Sequence, residues 1–148
     1  MSGADGFPPV EALVPHRGRA LFIREVLEGG PDRASCLGRI PADSPFVSAG
    51  LAPCLVGIDM AAQAAAAMET LLRRGAREDD PPDLGYLVGI REARFETATL
   101  PAGTDLTVYA RPLRGASALA VYEVELRIGP ARCLSAVLTI FRPPLGRS

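Results

Sequence analysis

The chain has 148 residues, of which 48% are apolar and 22% charged, with a formal net charge of −1. This size and composition are typical of one soluble globular domain, and the charge balance offers no basic surface for nucleic acid. All 16 basic residues are arginine, which excludes Schiff-base chemistry and a P-loop, since both need lysine.

The cysteines and the N-terminus indicate the compartment. Cys36, Cys54 and Cys133 are an odd number without the spacing of metal ligands, and we interpret them as reduced thiols. The first residues lack the basic start and apolar run of a signal peptide, and no apolar segment reaches the ~20 residues that span a bilayer. We therefore expect a cytoplasmic protein with no membrane segment, no metal and no cofactor.

The N-terminal third predicts two strands. Leu21–Leu27 and Ala34–Ile40 are strand-like runs, and the Gly-Gly-Pro-Asp sequence between them predicts a turn. Residues 41–50 are predicted to form a loop. Residues 1–9 and 143–148 are predicted to be flexible tails of a single domain that spans residues 1–148.

One long helix is predicted to begin at Pro53, a favoured first position because proline has no N–H to leave unpaired. It is expected to end at Arg74, with Gly75 as its C-terminal stop. Six alanines between Ala61 and Ala67 make the helix small-sided and apolar on nearly all sides. This pattern is typical of a helix that is wrapped by a sheet.

Strand candidates make up the rest of the chain. Their short connections predict an antiparallel sheet of five to seven strands that covers the helix, an α+β fold. A generic α+β sandwich remains open on these grounds alone. The candidates are Gly85–Phe95, Asp105–Leu113, Ala118–Ile128 and Arg132–Phe141.

The predicted helix contains one unexpected carboxylate. Asp59 is the seventh residue from Pro53, too far in to cap the helix, at a position where aspartate is mildly unfavourable. We interpret it as a functional acid, and a partnered structural acid is the alternative. Gln63, one turn later, either holds Asp59 or packs. Cys54, in the predicted first turn, is interpreted as a small packing residue, although a nucleophile is the alternative.

Three motifs in chain order resemble the 3-hydroxyacyl-ACP dehydratases, which have the hotdog fold. Val14–Val26 resembles their Pro-His-Arg motif and first strand, and Phe46–Gln63 resembles their active-site loop and central helix. Tyr86–Phe95 with Pro101–Leu106 resembles their third strand and the turn after it. The Gly-Ile-Asp form of the helix resembles more narrowly the dehydratase-like hotdog proteins encoded in aryl-polyene pigment clusters.

The resemblance implies a reaction on a 3-hydroxyacyl thioester, carried by an acyl carrier protein or CoA. In the family, a histidine takes the Cα proton and a helix carboxylate protonates the leaving hydroxyl, from opposite subunits of a dimer. Ungapped alignment from Gln63 places Asp59 at the carboxylate position and Ala49 at the histidine position. We therefore expect Asp59 to complete the site of a heterodimer whose homologous hotdog partner supplies the histidine. A homodimer is the alternative.

His16 is the only histidine, and it lies in a different motif. It is interpreted as a structural or tunnel-lining residue, with the role of catalytic base as the alternative. Because an exposed sheet edge is a liability, we also expect a dimer paired through Gly85–Phe95 or its immediate neighbours, with an apolar acyl tunnel at the interface. The expected substrate-binding residues are Phe46, Leu51, Cys54, Val56, Gly57, Gln63, Tyr86, Val88 and Gly89.

Two further functions stay open. In a hotdog thioesterase, Asp59 activates water against the thioester. In a non-catalytic subunit, the protein binds an acyl chain or a partner without turnover.

Overall fold

The fold is that of a computed structural model, described over residues 6–74, 85–116 and 118–143. One long helix, α1, spans Val56–Arg74. Two short 3-10 turns, Val10–Ala12 and Gly18–Ala20, precede the first strand. The described strands are β1 (Ile23–Glu28), β2 (Ala34–Gly38), β3 (Leu51–Pro53), β4 (Tyr86–Phe95), β5 (Thr99–Pro101), β6 (Leu106–Ala116), β7 (Leu119–Ile128) and β8 (Ala131–Phe141).

Six of the strands form one antiparallel sheet in the order β1-β2-β6-β7-β8-β4. This confirms the predicted antiparallel sheet, and all six predicted strands are present within three residues of their expected ends. The strands β3 and β5 form a separate two-stranded ribbon that the sequence analysis missed. Each has three residues, too few to show the alternation that marks a strand.

The helix packs on the sheet through small side chains, as its alanines predict. Ala61, Ala64 and Ala65 are fully buried. A Cβ added at Gly38 or Gly57 would overlap core side chains, so these glycines allow the helix to approach the sheet closely. Because α1 lies over β2, β6 and β7 and makes no substantial contact with β4, one edge of the sheet is left uncovered.

The helix begins at Val56, so the prediction of Pro53 as its first residue was wrong. Pro53 ends β3, where it pairs with Thr99, and the Cys54 N–H donates to the Ala98 carbonyl at 2.9 Å. The ribbon therefore keeps the chain extended up to this point. As a result Asp59 lies in the first turn of α1, where the helix dipole favours a negative charge.

The predicted loop 41–50 contains a tight turn just before β3. The Ser48 and Leu51 backbones exchange hydrogen bonds of 2.8 and 3.1 Å. Ala49 and Gly50 between them have φ of 53° and 77°, the left-handed pair of a two-residue type I′ turn.

Parts of the sequence analysis concern residues that are not described. The helix stop at Gly75, the loop that follows it and the outer parts of both predicted tails lie outside the described residues. Within the predicted N-terminal tail, Phe7 is partly buried and packs against the core. In the described part of the chain, no helix has the length and apolarity to cross a membrane.

Candidate active site

Asp59 lies at the protein surface in the first turn of α1. Its Oδ2 accepts one long hydrogen bond, 3.4 Å, from the Gln63 side chain. Burial raises the pKa of the Asp59 carboxyl above its ordinary value, although the positive charge of His16 and the bond from Gln63 lower it. A carboxyl with a raised pKa is a better proton donor near neutral pH than an ordinary aspartate.

Gln63 is fully buried and connects the helix to the segment before β1. Its Oε1 accepts hydrogen bonds from the N–H groups of Phe22 at 2.8 Å and Ile23 at 3.3 Å. Its Nε2 donates to the Ala20 carbonyl at 2.7 Å and to Asp59. The sequence analysis left open whether Gln63 holds Asp59 or packs, and it does both.

His16 lies close enough to Asp59 for its charge to act on the carboxyl, although the two residues are far apart in sequence. The imidazole is partly buried, and its Nδ1 has no hydrogen-bond partner within the described residues. A buried polar atom without a hydrogen-bond partner is uncommon, and a bound ligand or water molecule would supply that partner.

At the position expected for the catalytic histidine, the chain has an alanine, whose side chain is a methyl group. Ala49 is exposed at the tip of the type I′ turn, and an alanine side chain cannot exchange a proton. The turn therefore supplies no base.

Cys54 is a packing residue. It lies ahead of the helix, is buried, and donates its thiol to the Cys133 carbonyl at 3.6 Å. Burial, with a smaller effect of Cys133, raises the pKa of the Cys54 thiol to about 11, so the thiolate is scarce at neutral pH.

The expected tunnel-lining side chains are largely uncovered in the single chain. Phe46 is 56% exposed and Val88 57% exposed, and Leu51 and Tyr86 are also exposed. Val56 is half-buried. Large apolar side chains exposed together indicate a surface that another molecule covers.

The remaining two substrate-binding candidates are glycines. Gly57 is buried against Leu126 and Leu134, so it serves close packing of α1. Gly89 is half-buried beside Thr139.

The register of β4 identifies the side chains that point toward the helix side of the sheet. Leu87, Ile90 and Phe95 pair with Ile140, Leu138 and Leu134, all of which point into the core. The three β4 side chains are nevertheless exposed, because α1 does not reach them. Tyr86 pairs with Phe141 and lies on the opposite side of the sheet. The sequence analysis missed this apolar set, because its odd spacing does not follow strand alternation and only the register shifts in β4 bring the three side chains to one face.

Two cavities, of about 720 and 370 Å³, lie away from Asp59. The larger is on the outer face of the sheet, where charged side chains pair with each other, as Arg111 does with Glu123. In the described part of the chain, no three potential ligand side chains come close enough to hold a metal ion.

An antiparallel sheet packed on one long helix defines the hotdog fold, and Asp59 lies near the start of that helix. The sequence profile of the ApeP-like family, described as ApeP dehydratase, matches residues 8–147, and the chain belongs to this family. No curated protein matches the chain.

Solved structures share the fold. The dehydratase heterocomplex ApeI:P from Xenorhabdus doucetiae aligns with a TM-score of 0.84 and 21% identity over 95% of this chain and 94% of that chain. The HP0420 homologue from Helicobacter felis aligns with a TM-score of 0.66 and 11% identity over 95% and 93%. A hypothetical thioesterase with coenzyme A from Streptococcus pneumoniae aligns less well, with a TM-score of 0.58 and 13% identity over 80% and 84%.

Proposed function

We propose that this protein is the acid-bearing subunit of a heterodimeric dehydratase that acts on 3-hydroxyacyl thioesters of an acyl carrier protein or CoA. Asp59 donates the proton to the leaving hydroxyl, and a homologous hotdog subunit supplies the histidine base. The proposed reaction takes place in the cytoplasm, where thiols stay reduced, and the three cysteines are free.

The proposal rests on two features seen together: the chain has a candidate proton donor, and it lacks a histidine at the position expected for the base. Asp59 has a raised pKa and, among the described residues, one long hydrogen bond, which leaves its carboxyl able to donate to a ligand. The position expected for the base holds Ala49. The solved ApeI:P heterocomplex, of the same fold, makes a second subunit a natural source of that base.

The uncovered edge of the sheet supports a dimer. The strand β4 is an edge strand, and its large apolar side chains are exposed. Long exposed edges invite pairing with another strand, and natural proteins rarely leave them open. A partner strand at this edge would cover Leu87, Ile90 and Phe95 and enclose an apolar passage for an acyl chain.

The reaction balances with two protein groups. The partner's histidine takes a proton from Cα, and the electron pair of that C–H bond forms the Cα–Cβ double bond. The Cβ–O bond breaks as Asp59 gives its proton to the hydroxyl, which leaves as water. Transfer of a proton from the histidinium back to Asp59 restores both groups.

The test is hydration of crotonyl-ACP, the reverse reaction. We expect little activity from this chain alone and full activity from a complex with a histidine-bearing hotdog subunit. Asp59→Asn in the complex should lower kcat/KM by roughly 10²–10⁴-fold, the usual contribution of a positioned acid or base.

The matched control is Asp43→Asn, which removes another exposed carboxylate and should leave kcat/KM unchanged. Size-exclusion chromatography must show that Asp59→Asn still forms the complex. Full activity of the Asp59→Asn complex would overturn the role of Asp59, and hydrolysis of acyl-CoA without hydration would favour the thioesterase alternative. Binding of the acyl chain with neither reaction would favour the non-catalytic subunit.

In a second candidate mechanism, the catalytic base belongs to this chain and not to a partner subunit. His16 acts on the pKa of Asp59 and has an unpartnered Nδ1, so the two residues are a candidate acid–base pair of a homodimer. Crotonyl-ACP hydration by the purified chain alone, abolished by His16→Ala, would favour this arrangement over the heterodimer.

A further inference from the structure

The segment that carries His16 is tied to α1 at two points. The Thr70 hydroxyl donates to the Leu13 carbonyl at 2.9 Å, and the Gln63 side chain donates to the Ala20 carbonyl at 2.7 Å. We call residues 13–20 the strap. Because Gln63 also contacts Asp59, the strap crosses the helix beside the candidate catalytic carboxylate.

The Arg17 side chain binds backbone carbonyl groups within the strap and just before it. Its guanidinium donates to the carbonyl oxygens of Glu11 at 2.8 Å, Val14 at 2.8 Å and His16 at 2.7 Å. These bonds fold the backbone that leads up to His16 around one side chain. Within the described residues, the guanidinium contacts carbonyl oxygens and no carboxylate, so Arg17 is not one half of a surface ion pair.

We infer that Arg17 is a positioning residue that fixes the strap so that His16 stays beside Asp59. This inference rests on the proposed function, in which Asp59 is the working acid. Arg17 acts through His16 and not by its own charge.

The geometry requires arginine in particular. A guanidinium offers five N–H donors in a rigid planar fork, so one side chain can satisfy three carbonyls that face it from different directions. The ammonium of lysine is a compact group on a flexible stem and cannot hold the same arrangement. Arg17→Lys therefore keeps the charge and removes the positioning.

The surroundings of Asp59 allow a clean readout. The groups that act on its pKa are His16 from the strap and Gln63 from the same helix, and no charged group of the sheet contributes. If His16 moves away or is removed, the lowering effect of its charge disappears. The pKa of Asp59 should then rise.

The experiment is a carbon-13 NMR titration of the Asp59 carboxyl in the full chain, with Asp59→Asn used to assign the signal. The variants are Arg17→Lys, Arg17→Gln, His16→Ala and the double variant His16→Ala with Arg17→Lys. The matched control is Arg19→Lys on the same strap, where the arginine donates to the Asp43 carbonyl at 3.0 Å. Circular dichroism checks that each variant is folded at the start of the titration.

We expect an upward shift of the Asp59 pKa in Arg17→Lys and Arg17→Gln that approaches the shift in His16→Ala. The double variant should shift no further than His16→Ala alone, because Arg17 acts through His16. Arg19→Lys should show no shift. A shift only in Arg17→Gln would indicate a direct charge effect, and additive shifts would indicate a separate route, so either result overturns the inference.

Loss of folding in both Arg17 variants would also overturn it, since Arg17 would then support the whole fold and not one side chain. The readout does not depend on turnover. If the shifts appear while hydration of crotonyl-ACP fails in every complex, the proposed function fails and the positioning role of Arg17 stands.

Discussion

The two ends of α1 each carry a carboxylate, and the two are held in opposite ways. Near the C-terminal end, Glu69 accepts a hydrogen bond from the Tyr122 hydroxyl and forms an ion pair with Arg142. The side chains of Glu69 and Arg142 are only 13% exposed. Near the N-terminal end, Asp59 is exposed and has one bond of 3.4 Å.

The difference separates a carboxylate that supports the fold, Glu69, from the one that we propose as a proton donor, Asp59. Glu69 is held by partners that tie the helix to β7 and to the residue after β8, so its position is fixed. Within the described residues, Asp59 keeps spare hydrogen-bonding capacity. A group that must give up a proton to a ligand needs this freedom, and it contributes little to stability.

The largest expected loss of stability follows from a substitution near the C-terminal end of α1. Glu69→Ala leaves the Arg142 guanidinium and the Tyr122 hydroxyl largely buried without their carboxylate. We expect a loss of about 3 kcal/mol in the free energy of unfolding, because the substitution removes the carboxylate from a largely buried ion pair and hydrogen bond. Urea denaturation followed by circular dichroism measures it. A loss under about 0.5 kcal/mol, the level of an ordinary surface change, would break the comparison.

Tyr122→Phe removes a single hydroxyl and keeps the ring packed. Burial raises the pKa of Tyr122 to about 12, so the hydroxyl is a neutral donor at all ordinary pH values. Loss of its bond to Glu69 should cost about 1.5 kcal/mol in the free energy of unfolding. In the Glu69→Ala background the same change should cost less, and equal costs in both backgrounds would show that the two residues are not coupled.

Ala49→Gly tests the turn at the site end. Ala49 has a φ of 53°, which glycine adopts without strain. We expect a gain of about 0.5 kcal/mol in the free energy of unfolding, since the relief of strain exceeds the entropy cost of glycine. Hydration activity of the complex should not change. A stability loss would show that the turn is not strained.

Asp59→Asn should have the smallest effect on stability at neutral pH, within about 0.5 kcal/mol of the parent. Since the folded protein raises the pKa of Asp59, its stabilising effect is complete below the ordinary value of 3.8 and is lost as pH rises through the folded pKa. The parent should therefore lose stability relative to Asp59→Asn across that window. Urea denaturation at pH 3.5 and at pH 7 gives the sign, and a relative gain by the parent would contradict it.

Local patterns in the sequence were enough to predict most of the fold. The alanine-rich run predicted one wrapped helix, and strand-like runs joined by short connections predicted six strands in an antiparallel sheet. They did not predict where the helix begins. Pro53 is a favoured first helical residue, but pairing with Thr99 in a distant ribbon keeps it extended.

The candidate site was predicted in part. The carboxylate in the apolar first half of the helix pointed to Asp59, and Gln63 one turn later pointed to its contact. The partners of Gln63 near Phe22 could not be predicted, because they lie about 40 residues away and no local rule links them. The helix-facing set on β4 could not be predicted from alternation, because two register shifts interrupt that strand, and its exposure depends on how far α1 lies from that edge.

The sequence by itself determined the kinds of element and the carboxylate of Asp59 in the apolar part of the helix, since both depend on residue type and local spacing. The assignment of Ala49 to the histidine position follows from the resemblance to the dehydratases. Only the tertiary structure decided that the strap places His16 beside Asp59, that Arg17 and Gln63 hold the strap, and that β4 is left uncovered. These features arise from packing between segments far apart in the chain. Their positions are set by the way the helix and sheet fill space together.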